Sequence, residues 1–273
     1  MPSWPIAVTT TATIEKDFPN ILQELVDLKW SAVVIKNFYP IVHCQEICRR
    51  ITNDSDNLVT VKEYSNADGN KVSLRYIGPG LGQYVSDPVT YFNESEIAYP
   101  KFNTLYNGIP DPRKLVRDQL GKLLPDKKVI IAKEKNRECS DSVVRIMVDG
   151  DMSALHRDSA MNYFKGWQIS RYPTQFSALV CFQMAESGGE LTVYKKRWQP
   201  KDDLATEEGV TGYPNSLVSD AESSTITPEE GDLYIFHPEI YHDINPMQGD
   251  KHRITQGIFF AISKEDKIAV SWG

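Results

Sequence analysis

Apolar residues recur along this chain in two rhythms, and the change between them falls near residue 125. In the first third, Phe18, Ile21, Leu22, Leu25 and Leu28 keep the three-and-four spacing that lines one face of a helix. Further helices are expected over 44–51, 88–106 and 112–124. The last begins after Asp111, whose carboxylate suits an N-cap, with Pro112 at the first helical position, where its missing N–H costs nothing. Between them Ala32-Val33-Val34-Ile35 is a β-branched run that reads as a strand.

From Lys128 onward the texture changes. The runs 129–132, 143–148, 177–184, 191–194, 233–236 and 254–262 are short, apolar or alternating, and separated by turn residues. That is the pattern of a sandwich or barrel of short strands. The stretch 199–230 is long, polar and weakly patterned, which suits a lid. The expected fold class is α+β with a mainly β core. In it a double-stranded β-helix (jelly roll) over 126–273 is packed against a mainly helical part over 1–125, as one domain across 1–273.

Composition narrows the classes of partner. The formal net charge is −7 and the charges are scattered, so no basic face is available for nucleic acid. The four cysteines, Cys44, Cys48, Cys139 and Cys181, form no repeating framework and read as reduced intracellular thiols. Cys44 and Cys48, with His43 beside them, read as helix packing rather than a metal cluster. Met1-Pro2-Ser3-Trp4-Pro5 lacks the basic start of a signal peptide, and no run approaches the roughly twenty apolar residues of a membrane span. A soluble, cytoplasmic chain with a small-molecule partner, and with neither nucleic acid nor membrane, is expected.

The candidate chemistry centres on His156-Arg157-Asp158. Residues i and i+2 of a strand share a face, so His156 and Asp158 can reach one ion. An imidazole and a carboxylate suit a divalent ion such as iron(II), and a second imidazole would complete a facial triad with positions left open. The three-residue pattern alone arises often by chance. Its force comes from Gly231 through Thr255, where His242 is followed by Arg253 and Thr255. His242 would close the triad. Arg253, on the next strand, would make a two-pronged contact with the distal carboxylate of 2-oxoglutarate, with the Thr255 hydroxyl on the same face. Among the five histidines, His43 lies in the helical part and His252 would face away from Arg253. His237, beside Pro238 and further from Arg253, is the alternative third ligand.

Weaker signals surround this set. Arg145 sits on an apolar strand and needs a carboxylate, from cosubstrate, substrate or an internal aspartate. Tyr163, Phe164 and Trp167 follow the metal motif and read either as pocket walls or as packing. Lys195-Lys196-Arg197 reads first as a solvated strand end, with Arg197 the candidate contact for an acidic substrate. Gly78-Pro79-Gly80-Leu81-Gly82 has Gln83 where a dinucleotide loop needs a glycine, so it is no nucleotide site, although it could border the pocket.

The blocks Leu155–Asp158, Glu186–Tyr194 with Trp198, and Gly231–Ile262 resemble the iron(II)/2-oxoglutarate oxygenase superfamily. They are most similar to the branch of free-standing aliphatic halogenases that act on indole alkaloids or free amino acids. Those halogenases carry a small residue at the carboxylate position, which frees a site for chloride. This chain has Asp158 there. The resemblance therefore implies hydroxylation, desaturation or oxidative cyclisation of a small natural-product-like molecule, with 2-oxoglutarate and O2 giving succinate and CO2. A protein hydroxylase of the same superfamily, with an open groove, is an alternative. So is a cupin-like metal-binding module without turnover, although Arg253 and Thr255 would then have no task.

Overall fold

Alternation along the strand Thr174–Gln183 divides the molecule into layers. Phe176, Ala178, Val180 and Phe182 lie in one apolar cluster with the helix residues Cys44, Ile47, Phe102, Leu105, Val116 and Leu120. Leu179 instead packs with Val34, Tyr234 and Phe236 against Leu191, Val193, Ile226 and Ile240. One face of the sheet therefore meets helices and the other meets a second sheet. A side chain fully buried in either layer contributes about 1.5–3 kcal/mol relative to exposure.

The computed structural model describes residues 4–65, 71–205 and 212–273. Its ten-stranded sheet runs in the order Ala7–Thr10, Val33–Lys36, Leu233–Phe236, Thr174–Gln183, Arg253–Ile262, Val143–Met147, Lys71–Ile77 and Thr60–Ser65. Ile268–Trp272 pairs with the far half of Arg253–Ile262 and with Lys128–Ile131. The facing four-stranded sheet runs Ser223–Ile226, Leu191–Arg197, Ile240–Ile244 and Ser153–His156. Two facing sheets with helices outside make the jelly roll that the sequence pattern predicts.

The main helices form at Ile41–Asn53, Pro88–Leu105 and Pro112–Leu123. The Asp87 carboxylate accepts from the Thr90 N–H, and the Asp111 carboxylate from the Arg113 N–H, so both proline-led helices start on a true cap. The first third is less helical than expected. It also supplies Ala7–Thr10, Val33–Lys36, Thr60–Ser65 and Lys71–Ile77 to the larger sheet. Cys44 is buried in the helix–sheet layer, and its thiol points at the Cys181 carbonyl, 3.9 Å away, consistent with packing.

The stretch 199–230, expected as a lid, lies partly outside the described residues, at 206–211. Its described residues form the turns Pro200–Ala205 and Asn215–Val218 and the strand Ser223–Ile226. Leu217, Val218 and Tyr213 pack on Leu155, Tyr194 and Tyr241, on the outer face of the smaller sheet. The Tyr241 hydroxyl donates to Asp202 at 3.0 Å, and the Tyr213 N–H donates to the Leu155 carbonyl at 2.7 Å. These contacts make the described part a brace on the back of that sheet. Polar residues needed for this hydrogen bonding gave the sequence its loop-like look.

Gly188 and Gly189 turn the chain with φ of +74° and +75°. A Cβ on Gly188 would lie 2.0 Å from the Pro246 carbonyl oxygen, and one on Gly189 would lie 3.0 Å from Arg253 Cδ. The Gly-Gly turn thus seats the loop that leads into Arg253. Gly188→Ala is expected to destabilise the fold by more than about 2 kcal/mol, because backbone contact adds to the positive-φ penalty. Urea denaturation reads this, and a change below about 0.5 kcal/mol would contradict the packing argument.

Candidate metal centre

Antiparallel pairing places His242 directly opposite His156. The His156 Nδ1–H donates to the Ala154 carbonyl at 2.8 Å, and the His242 Nδ1–H donates to the Ile240 carbonyl at 3.0 Å. A carbonyl can only accept, so both Nε2 lone pairs are left free on rings whose centroids stand 4.2 Å apart. The strand Ser153–His156 ends before Asp158, so the same-strand geometry expected for the pair is replaced by a turn. The Asp158 N–H holds that turn by donating to the Pro238 carbonyl at 2.8 Å. Asp158 Oδ2 then lies 3.4 Å from His242 Nε2 and 3.9 Å from His156 Nε2.

The three donor atoms fall within 4.8 Å of one another. Burial pushes His156 down to about 4, and the neighbouring His242 adds to that. Burial alone would raise Asp158, but its closeness to the imidazole of His242 first, then to His156 and Arg145, brings it below the usual carboxylate range. A neutral imidazole and an ionised carboxylate are the forms that bind a metal.

His237 stands apart from this set. Its Nδ1–H donates to the Gln175 carbonyl at 3.0 Å, and its Nε2 lies 3.6 Å from Glu239 Oε2. Burial pushes His237 down to about 4. An unfolded histidine titrates near 6.5, so between pH 6.5 and 4 the unfolded chain binds a proton that the folded chain refuses. Stability conferred by neutral His237 is therefore complete above about 6.5 and falls by up to about 3 kcal/mol toward pH 4. Glu239, raised by burial, acts in the opposite sense. Urea midpoints of the wild type and His237→Gln are expected to converge on acidification; parallel pH curves would refute this. His252 is exposed, and His43 packs beside Tyr39 with ring centroids 5.8 Å apart.

Arg253 and Thr255 alternate onto the inner face of their strand, opposite Met147 and Arg145 respectively. The Arg253 side chain is 2% exposed. Its guanidinium donates to the Tyr234 hydroxyl at 3.0 Å and reaches Thr255 Oγ1 at 3.4 Å. Its Nε has no partner, and no carboxylate pairs with it among the described residues. Leaving a guanidinium buried without a counter-charge costs several kcal/mol, a cost that an anion placed beside it would offset. Arg145 lies beside Thr255 on the neighbouring strand, and its charge is felt at both His156 and Asp158.

A cavity of about 370 Å³ opens beside the triad, bordered by Asp158, Ser159, Gln175, Phe259 and Trp272. Tyr163 and Phe164 line it, as does Gly82 of the glycine-rich loop. Trp167 lies behind, stacked on Phe92 at 5.9 Å and edge-on to Phe164 at 6.0 Å, so it supports the wall. Arg197 is exposed and its guanidinium donates to the Val26 carbonyl, away from the triad. Lys195 pairs with Glu222 at 2.8 Å, which fits a solvated strand end. Sequence reading missed Arg157, held over the rings of Tyr163 at 5.0 Å and Trp198 at 4.0 Å. It also missed Gln175, Ser159 and Tyr234. Period-two alternation of Gln175 with the buried Phe176 was the available signal for the first.

Two facing sheets carrying two histidines and a carboxylate at one end define a jelly-roll protein that could hold a divalent transition metal. Residues 7–273 match the family model described as carrier-protein-independent halogenase WelO5, and the chain belongs to that family. It thereby falls in the iron(II)/2-oxoglutarate oxygenase superfamily. The chain is 24% identical over 165 residues to L-gamma-glutamyl-L-propargylglycine hydroxylase of Streptantibioticus cattleyicolor, covering 59% of each chain. It is 28% identical over 144 residues to L-isoleucine 3(1)-dioxygenase of Pantoea ananatis, covering 49% of this chain and 47% of that one. The chain thus spans about half to three-fifths of these relatives. An N-substituted L-amino acid dioxygenase from Burkholderia ambifaria shares the fold, with TM-score 0.58 and 16% identity over 93% of this chain and 90% of that one. No helix among the described residues is long and apolar enough to cross a membrane.

Proposed function

We propose that this protein is an iron(II)- and 2-oxoglutarate-dependent oxygenase acting on a C–H bond of a small, amino-acid-like or natural-product-like molecule. The observation that carries the reading is Arg253: a buried guanidinium, with no carboxylate partner among the described residues, on the sheet facing the triad. His156, Asp158 and His242 would hold the iron through Nε2, a carboxylate oxygen and Nε2. Arg253, with the Thr255 and Tyr234 hydroxyls beside it, would take the distal carboxylate of 2-oxoglutarate. When bound, the pair supplies dioxygen activation coupled to decarboxylation of 2-oxoglutarate to succinate and CO2.

The chain's own residues set the rest. The backbone carbonyls of Ala154 and Ile240 fix the tautomers of His156 and His242. Asp158 occupies the position a halide would need, so oxygenation rather than chlorination is the reading despite the family's description. Phe164, Phe259 and Trp272 keep the adjoining cavity largely apolar. A cavity of about 370 Å³ with aromatic walls supports a small-molecule substrate, and the −7 net charge gives no support to nucleic acid. The four unpaired cysteines support a reducing, cytoplasmic setting.

Anaerobic addition of iron(II) and then 2-oxoglutarate to the purified protein is expected to produce a weak visible charge-transfer band. The band should be lost in His242→Ala. A folded wild-type protein that binds iron yet shows no band would overturn the cosubstrate assignment.

A further inference from the structure

The polar corner of the cavity has a defined hydrogen-bonding sense. Gln175 is 3% exposed, and its Oε1 accepts the Ala160 N–H at 2.6 Å. An N–H requires an oxygen opposite it, so this contact fixes the amide orientation and leaves the Gln175 NH2 as the free end. That NH2 has no acceptor among the described residues, and Gln175 borders the cavity. The backbone beneath is also held, since the Gln175 carbonyl accepts from His237.

Ser159 stands at the same corner with the opposite character. Its hydroxyl donates to Glu239 Oε1 at 3.0 Å, which leaves the oxygen lone pairs for an incoming donor. The cavity therefore offers a donor from Gln175 and an acceptor from Ser159, next to the carboxylate of Asp158 and opposite apolar Phe164 and Phe259. We propose that this corner binds a neutral amide group of the substrate, its C=O on Gln175 and its N–H on Ser159, with the hydrocarbon part among the aromatic walls.

The alternatives fit worse. A carboxylate head could accept from the Gln175 NH2 but has no proton for the Ser159 oxygen, and an ammonium head could donate to Ser159 but would meet the Gln175 NH2, which cannot accept. Each charged head would satisfy one end of the corner and leave the other unpaired, whereas an amide remakes both bonds. The inference rests on the proposed function, because the corner specifies a substrate only if the reaction takes place at the triad.

The test uses iron(II)- and 2-oxoglutarate-loaded protein under anaerobic conditions, with the charge-transfer band recorded before calorimetric titration. The probes are hexanamide, hexanoate and hexylamine, which share a chain and differ in the head. Hexanamide is expected to bind at least about tenfold tighter than either charged homologue. Gln175→Glu keeps the acceptor for Ala160 but replaces the NH2, and Ser159→Ala removes the acceptor. Each should keep the band and lose about tenfold in hexanamide affinity. No preference for the amide, or unchanged affinity in both variants, overturns the proposal while an intact band leaves the oxygenase reading standing. Absence of the band in the wild type overturns both.

Discussion

Asp158→Ala is expected to lower product formation by about a thousandfold or more while the protein stays folded. Losing an outer partner of a metal ligand typically costs ten- to a hundredfold, and loss of a ligand itself should exceed that. The fold should survive because Asp158 is fixed through its backbone N–H on Pro238, which alanine keeps. The Asp158 side chain is also only partly buried, so its truncation opens no enclosed void. Turnover assays with circular dichroism as a folding control decide the matter. More than a tenth of wild-type turnover in the variant would remove Asp158 from the ligand set. Asp158→Gly with added chloride should give little or no chlorinated product, because a vacated position supplies a site for the halide but nothing that aims it at the substrate.

Arg253→Ala is expected to separate binding from stability in an unusual direction. Removing one side of a desolvated guanidinium–carboxylate pair costs about 2–5 kcal/mol, so 2-oxoglutarate affinity should fall by roughly a hundredfold or more. Without cosubstrate, the same guanidinium is an unpaired buried charge that the fold tolerates rather than needs. The apo variant should therefore be no more than about 1 kcal/mol less stable than wild type, the residual loss coming from contact with the Tyr234 hydroxyl. Arg253→Lys keeps the charge without the planar fork and should lie between the two. A large stability loss with unchanged 2-oxoglutarate affinity would make Arg253 a structural residue.

Much of this arrangement was legible in the sequence where the signal was local. The helices at 88–105 and 112–123 announce themselves through Asp-Pro starts, and the second also through apolar periodicity. The strands Leu233–Phe236 and Arg253–Ile262 are apolar on consecutive or alternate positions because they lie inside the sandwich. The Gly-Gly turn and the spacing of His242 from Arg253 carried the site for the same reason: each constraint operates within a few residues. Strands such as Thr60–Ser65 and Ser223–Ile226 were not legible. They lie at sheet edges, and pairing with partners distant in sequence, rather than their own pattern, makes them strands. Trp167 and Arg197 show the limit for single side chains. Composition marked both as candidates, but only packing on Phe92 and a bond to the Val26 carbonyl reveal their places.

The three metal-ligand candidates come from the smaller sheet and the turn beside it, whereas Arg253 and Thr255 come from the larger one, and among the described strands no ladder joins the two sheets. A metal ion held by the imidazoles, together with a cosubstrate reaching from it to the guanidinium, would act as a rivet through both leaves of the sandwich. Loading would then slow the opening of the leaves as well as equip the site for chemistry. Backbone amides of Ile240–Ile244 and Arg253–Ile262 should exchange with solvent deuterium in step once both guests are present, and independently when either is withheld.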